Sequence, residues 1–340
     1  MTDITKQDLV AAVETGILNA DQAGKIEALA QSRAGLRKNI DDEPFEFFNG
    51  FSQIFMTLGI VLFFGGALFM GPIGPSVLFN LILIGIAFVL AEFIVRERRM
   101  QLPGIALGCV LAVFALRSDT LYLVHVSVPP LIAALLLMVF YLRHHVPAAL
   151  FGFGALILIA LLLPFLENTD PIQRDVWAVF DLGRNSETAL ITLAVGLVAF
   201  TAAMSFDLRD PHRVSRLSAC GFWLHLLAAP TIVNTLAFTA YELGGVAGYA
   251  LLTIAILFFV AVALVIDRRS FLTAALAYLG LVLAMLLDQL GGISTALVIC
   301  LLGMLVIGVA AGWRWMRAGL LARLRWLPWY DRLPPVEIRA

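Results

Sequence analysis

Residues Ser76 to Val95 read SVLFNLILIGIAFVLAEFIV, and Arg96, Glu97, Arg98 and Arg99 follow at once. A helix rises about 1.5 Å per residue, so this run is long enough to cross the ~30 Å hydrocarbon core of a bilayer. The arginines that stop it belong in water, and the run therefore reads as one membrane span with one wet end. Working outward in both directions, the same reading applies to Ser52 to Gly71, Leu102 to Leu116, Leu121 to Leu142, Pro147 to Leu166 and Thr188 to Phe206. Leu217 to Phe238, Gly248 to Ile266, Phe271 to Gln289 and Ile293 to Gly312 complete a set of ten. The run ending at Leu116 is short, so a tilted, thinned or re-entrant path stays open for it.

The composition agrees, with 61% hydrophobic and 14% charged residues and a mean hydropathy of +0.94. No ordinary water-soluble domain has that make-up. The fold class is an all-α integral membrane protein. Charge placement tests the span count on residues that played no part in choosing the spans. With ten spans, every lysine and arginine except Arg117, Arg174 and Arg184 falls on the side of the N-terminus. Both termini are therefore expected in the cytoplasm. No basic-then-apolar leader with a small-residue cleavage site opens the chain, so insertion is expected to begin at the first span without removal of a signal peptide.

Three regions follow: residues 1–47, 48–312 and 313–340. The first carries more acids than bases and reads as a small helical hairpin with an acidic linker. Thr5 can cap a helix bearing Leu9, Val10 and Val13, Gly16 can end it, and Asn19 with Gln22 forms a capping-box start for a second helix with Ile26 and Leu29. A net acidic pair of helices has no basic face for nucleic acid, and none is expected as a partner. In the last region Trp313, Trp315, Trp326, Trp329 and Tyr330 interleave with Arg314, Arg317, Arg323 and Arg325, the pattern of a helix lying in an anionic headgroup layer. Pro328, Pro334 and Pro335 should end it.

Two forms of internal similarity are open. Arg99, Arg143 and Arg269 are each followed seven or so residues later by an Ala-Leu pair in the next span (Ala106 and Leu107, Ala149 and Leu150, Ala275 and Leu276), as in a repeated hairpin. Alternatively, the longer loop Glu167 to Glu187 sits at the midpoint of a five-plus-five inverted repeat.

The stretch Asp8-Leu-Val-Ala-Ala-Val-Glu-Thr-Gly-Ile-Leu-Asn-Ala-Asp-Gln-Ala-Gly-Lys-Ile resembles the N-terminal hairpin of a family of bacterial predicted membrane proteins of unknown function. The tail from Gly312-Trp-Arg-Trp-Met-Arg to Arg332-Leu-Pro-Pro-Val resembles the ending of such proteins. The resemblance implies a cytoplasmic hairpin ahead of eight or more spans in a bacterial inner membrane, and it brings no site residues.

Ionisable groups within spans are costly, so each is a candidate. His225 lies deepest, about eight residues into the seventh span, with Pro230 and Asn234 beyond it. His225 and Asn234 are nine positions apart, hence on opposite faces unless Pro230 bends the helix. His125 stands near the outer end of the fourth span, followed by Pro129 and Pro130, which predict a kink and freed carbonyls. These six residues are the candidate cavity or solute path. Glu92 and Arg96 have the spacing of a helical ion pair. His144 and His145 lack an acidic or cysteine partner in sequence, so a solvated loop is favoured over a metal site. Cys109, Cys220 and Cys300 lie in apolar runs and read as buried small hydrophobes.

No His-Glu-x-x-His, Gly-x-Ser-x-Gly, P-loop or dinucleotide-binding pattern occurs, so neither an enzyme nor a cofactor is expected. Two functions remain: a secondary transporter or exporter of a small solute, or a non-transporting scaffold or regulator whose hairpin takes a protein partner. The topology yields a direct test. Reporter fusions after Arg99, Arg143, Arg213, Arg269 and Arg325 should read cytoplasmic, and those near Gly74, Thr120, Arg174, Gly245 and Gly292 external; two adjacent reversals would remove the ten-span scheme.

Overall fold

A computed structural model describes residues 6–33, 51–70, 77–98, 100–117, 125–167, 176–211, 213, 216–269, 295–326 and 330–334. Every regular element among them is helical. Nine of the ten segments read as spans fall on helices, while Phe271 to Gln289 lies outside the described residues. Among the described residues, six helices are long and apolar enough to cross a membrane, and two more are apolar but shorter. The chain divides into two compact units, Phe45–Val176 and Met1–Pro44 with Trp177–Ala340. The division falls inside the loop Glu167 to Glu187.

The N-terminal hairpin consists of α1, Lys6–Glu14, and α2, Ala20–Arg33. Gly16, at φ +76°, ends α1 in a Schellman turn: its N–H donates to the Val13 carbonyl at 3.1 Å and that of Ile17 to Ala12 at 2.9 Å. The α2 start is the reciprocal pair the sequence predicts. The Asn19 N–H donates to Gln22 Oε1 at 3.0 Å, and the Gln22 N–H to Asn19 Oδ1 at 2.7 Å. Leu9 and Ala23 form the small core, with Val10, Val13 and Leu18 against it. The Thr5 cap lies outside the described residues.

The first membrane unit contains α3, Phe51–Leu68, and α4, Val77–Ala91, which continues as a π-helical turn over Glu92–Glu97. Then come α5, Gln101–Leu116; α6, Val128–His144; and α7, Ala148–Glu167. Helix α5 touches all four others and is the centre. Its Leu107, Leu111 and Phe114 are fully buried against Phe64, Ala133 and Phe140. On α3 the outward stripe is Phe51, Phe55, Leu58 and Leu62, large apolar side chains at helical spacing, as lipid requires.

Backbone groups without a partner are most costly away from water, and this unit closes them with side chains. Gln53 Oε1 accepts the N–H of Leu102 in the first turn of α5 at 3.1 Å. Arg117 donates to the Leu68 carbonyl at the end of α3 at 2.9 Å. Pro164 inside α7 has no N–H for the carbonyl four residues back, Ala160, and the Ser127 hydroxyl donates to that oxygen at 2.7 Å. Ser127 is the N-cap of α6, so the same residue starts one helix and repairs another.

That start corrects the sequence reading of Pro129 and Pro130. They kink no span: α6 begins at Val128 and both prolines occupy its first turn, where the missing N–H groups would be unpaired in any case. Apolarity alone extended the expected span back to Leu121; the helix does not follow it through residues 125–127.

The second membrane unit holds a 3-10 turn at Val176–Phe180, then α8, Ser186–Asp207; α9, Arg216–Glu242; α10, Gly245–Ile266; and α11, Thr295–Arg323. Helix α9 is central and two-thirds buried, packed against α8 and α10. A Cβ at Gly196 of α8 would lie 2.5 Å from Thr231 Oγ1 and 2.8 Å from Ile232 Cγ1, so glycine permits the close approach. Arg184 and Glu242 join the start of α8 to the end of α9 at 2.6 Å. Helix α11 runs unbroken through Gly312, so the aromatic and basic segment begins as its continuation and not as a separate surface helix.

The proline repair predicts non-additivity. Ser127→Ala should cost about 1–3 kcal/mol of unfolding free energy, the usual loss for an orphaned buried acceptor. In a Pro164→Ala background, where residue 164 regains its own N–H, the same change should cost much less. Equal losses in both backgrounds, measured by thermal unfolding in detergent, would refute the repair.

Candidate functional site

In the second membrane unit, His225, eight positions before the end of the buried stretch Ser218–Val233 of α9, is fully buried. Its Nε2 lies 3.0 Å from Oδ2 of Asp207, the last residue of α8. Arg268, just past α10 and buried, donates to the same carboxylate, Nη2 to Oδ1 at 2.6 Å and Nε to Oδ2 at 3.1 Å. Its Nη2 also donates to the Ser218 carbonyl at 2.9 Å. A carboxylate holding a bidentate guanidinium can only accept, so His225 carries its proton on Nε2. Phe200 closes the ring edge-on at 5.5 Å between centroids.

One glycine makes this possible. A Cβ at Gly221 would fall onto the Asp207 carboxylate and come within 3.3 Å of the Arg268 guanidinium. Gly221 precedes His225 by one turn on the same face of α9, with Ser218 a further turn back. The helix therefore offers a small, polar groove to an acid from one neighbour and an arginine from the other.

The end of α10 gathers a second set. Asp267 is its C-cap in the left-handed conformation, φ 56° and ψ 45°. Arg213 donates to the Asp267 carbonyl at 2.8 Å and pairs with Oδ2 at 3.1 Å. Trp313 Nε1 donates to Oδ1 at 2.8 Å, and Arg317 Nε to the Leu264 carbonyl at 3.0 Å. These two contacts step in opposite directions along α10 and α11. The aromatic belt thus divides: Trp313 and Arg317 are buried, whereas Trp315 and Trp326 stay exposed.

In the first membrane unit Glu92 opens the π turn and is 40% exposed. It pairs with Arg96 at 3.1 Å, as the spacing predicts, but also with Arg143 at 2.6 Å, across to the end of α6. His144 Nε2 stands 3.4 Å from the same carboxylate and its ring lies against Phe140. His144 is buried, not part of a solvated loop. Among the described residues no group of three metal-ligating side chains occurs.

The sequence candidates are distributed as follows. His225 is in the buried cluster. Helix α9 continues through Pro230, and Asn234 sits half-buried, about two and a half turns beyond His225 and on the opposite face. His125 is exposed, ahead of α6 in the other unit, and its Nδ1 accepts from the Ser127 N–H at 3.2 Å. Pro129 and Pro130 are buried in the first turn of α6. The sequence reading places Arg213 and Arg268 among the basic residues at span ends that mark topology and Arg317 in the aromatic and basic tail, and it gives Asp207 no role. The available signal was the stripe Ser218, Gly221, His225.

No protein-family model matches the sequence, and neither a curated protein nor a solved structure matches it. The fold by itself defines the class: an all-helical chain of the multi-pass membrane type.

Removing one partner of a buried pair leaves the other charged and bare. Asp207→Ala should therefore cost on the order of 3–5 kcal/mol, while Asp207→Leu combined with Arg268→Met should recover most of it. A single-substitution loss under about 1 kcal/mol in thermal unfolding would contradict the pairing.

Proposed function

We propose that this protein is a ten-span bacterial inner-membrane protein with both termini cytoplasmic, and that it is a secondary transporter or exporter of a small solute. The observation that carries the reading is the Asp207, His225 and Arg268 cluster, which buries charge between α8, α9 and the end of α10, where apolar packing would serve stability as well or better. Groups that exchange partners as helix ends separate are the parts from which alternating access is built. The reading is non-enzymatic and calls for no cofactor. His225 is sealed here, so in this scheme the arrangement corresponds to an occluded state. The resemblance to bacterial membrane proteins of unknown function supports the location.

A second reading, a scaffold or regulator working through the hairpin, is favoured by one feature. The hairpin has its own core and caps yet leaves Ile17 and Leu29 exposed. That gives a protein partner something to hold.

Untargeted metabolite comparison separates the two. A deletion strain should retain or lose one solute class, restored by the wild-type gene and by a gene lacking residues 1–41. It should not be restored by His225→Gln, which keeps a donor toward Asp207 but not the imidazole's proton chemistry near neutral pH. His225→Gln should leave thermal stability almost unchanged. Full restoration by His225→Gln would end the transport role of this cluster, and failure of the truncated gene alone would favour the scaffold.

A further inference from the structure

Helices α4, α5, α6 and helices α8, α9, α10 share features that chance apolar similarity does not supply. Each first helix carries an acid at or near its end: Glu92 follows the last α-helical residue of α4 and opens its π turn, and Asp207 is the last residue of α8. The third helix of each set ends on a non-glycine residue in the left-handed conformation, His145 at φ 53° or Asp267 at φ 56°. Among the described residues only Arg213 shares that conformation without being glycine. Each of these caps donates its N–H to the carbonyl four residues back, Tyr141 or Ala263. An arginine close to each cap reaches the acid at the same distance, Arg143, two residues before His145, to Glu92 at 2.6 Å and Arg268, one residue after Asp267, to Asp207 at 2.6 Å. A histidine stands against each acid, His144 at 3.4 Å and His225 at 3.0 Å, though the first comes from the third helix and the second from the middle one.

The middle helix completes the correspondence. Gly104 lies in the opening turn of α5, and a Cβ there would come within 3.1 Å of Val95 at the end of the first helix and 3.2 Å of Val146 past the third. Gly221 lies in the opening turns of α9, and its Cβ would meet Asp207 and Arg268, again the end of the first helix and the residue past the third. Glycine stands at a corresponding place in both, with no room for a Cβ at Gly221 and a tight fit for one at Gly104.

The two sets differ in solvent. Glu92 and Arg143 are 40% and 53% exposed, Asp207 and Arg268 7% and 2%. We infer that the two units are copies of one three-helix arrangement, each latched by an acid and an arginine beneath a close-packed glycine, and that Glu92 with Arg143 is the latch that opens. The inference favours a repeated hairpin over an inverted five-plus-five repeat and does not depend on transport. An exposed pair is screened by salt and worth little, so it exchanges readily; a sealed pair is neither screened nor easily parted.

The test uses the full chain in nanodiscs, with thiol labelling quantified peptide by peptide. Val146→Cys, at a buried position against Gly104, reports the first latch, and native Cys220, buried beside Gly221, reports the second. Labelling at Val146→Cys should rise on the order of three- to fivefold at high salt, and at least as much on Arg143→Gln. The swap Glu92→Arg with Arg143→Glu should bring it back. Labelling of Cys220 should ignore salt but rise on Arg268→Gln, or on Gly221→Ala if the arginine variant does not fold. A Val146→Cys rate indifferent to both salt and Arg143→Gln, or one that the swap fails to restore, overturns the latch. A Cys220 rate that follows salt, or that ignores both Arg268→Gln and Gly221→Ala, overturns the equivalence of the two.

Discussion

The Asp207 carboxylate accepts from Arg268 and His225 at once, and the packing of the second membrane unit is arranged so that it can. An ionised carboxylate or guanidinium out of water costs several kcal/mol unless its partners are in place. Gly221 supplies the room, Ser218 takes a spare guanidinium hydrogen through its carbonyl, and Phe200 closes the ring edge. Remove the glycine and the acid must move; remove the acid and the arginine is stranded. Replacing such a pair with well-packed apolar side chains often costs no stability. The contacts that Asp207, His225 and Arg268 make are instead directional, and they tie α8, α9 and the residue past α10 to one another at defined positions, which apolar faces in lipid do not do.

The same accounting reaches the backbone. Water satisfies stray backbone groups in soluble proteins, whereas here side chains do it over long chain separations: Ser127 for the Ala160 carbonyl, Gln53 for the Leu102 N–H, Arg117 for the Leu68 carbonyl. Pro164 is tolerated because a serine on another helix answers it. A proline in a span is therefore read correctly only together with the donor that covers its orphaned carbonyl, and that donor can lie anywhere in the sequence.

Helix positions were legible in the sequence because apolar length is a local property. Ser76 to Val95 and Thr188 to Phe206 fall within a residue or two of α4 with its π turn and of α8. The hairpin caps were legible for the same reason, since Gly16 and the Asn19 and Gln22 pair act on near neighbours. The start of α6 was also written locally, as Ser127-Val-Pro-Pro, but the apolar residues before it outweighed that signal. His225 was legible as a polar residue within a span; its partners were not. Asp207 and Arg268 stand 61 positions apart at span ends, where a charge does double duty as a topology marker, and nothing local says which of the many terminal arginines turns inward. The π turn at Glu92, which the sequence reads as plain helix, has no local signature at all.

Charge counting narrows what the buried cluster can do. Three buried arginines, Arg213, Arg268 and Arg317, face two aspartates, Asp207 and Asp267, leaving one formal positive charge in excess. The carbonyls of Leu264, Asp267 and Pro334 accept further N–H groups of Arg317 and Arg213, and two of these belong to the C-terminal end of α10, where the helix dipole contributes roughly half a negative charge. Backbone groups thus offset part of the excess. A cluster satisfied in this way ties the end of α8 to the opening turns of α9 and the end of α10 through contacts that lie within the protein.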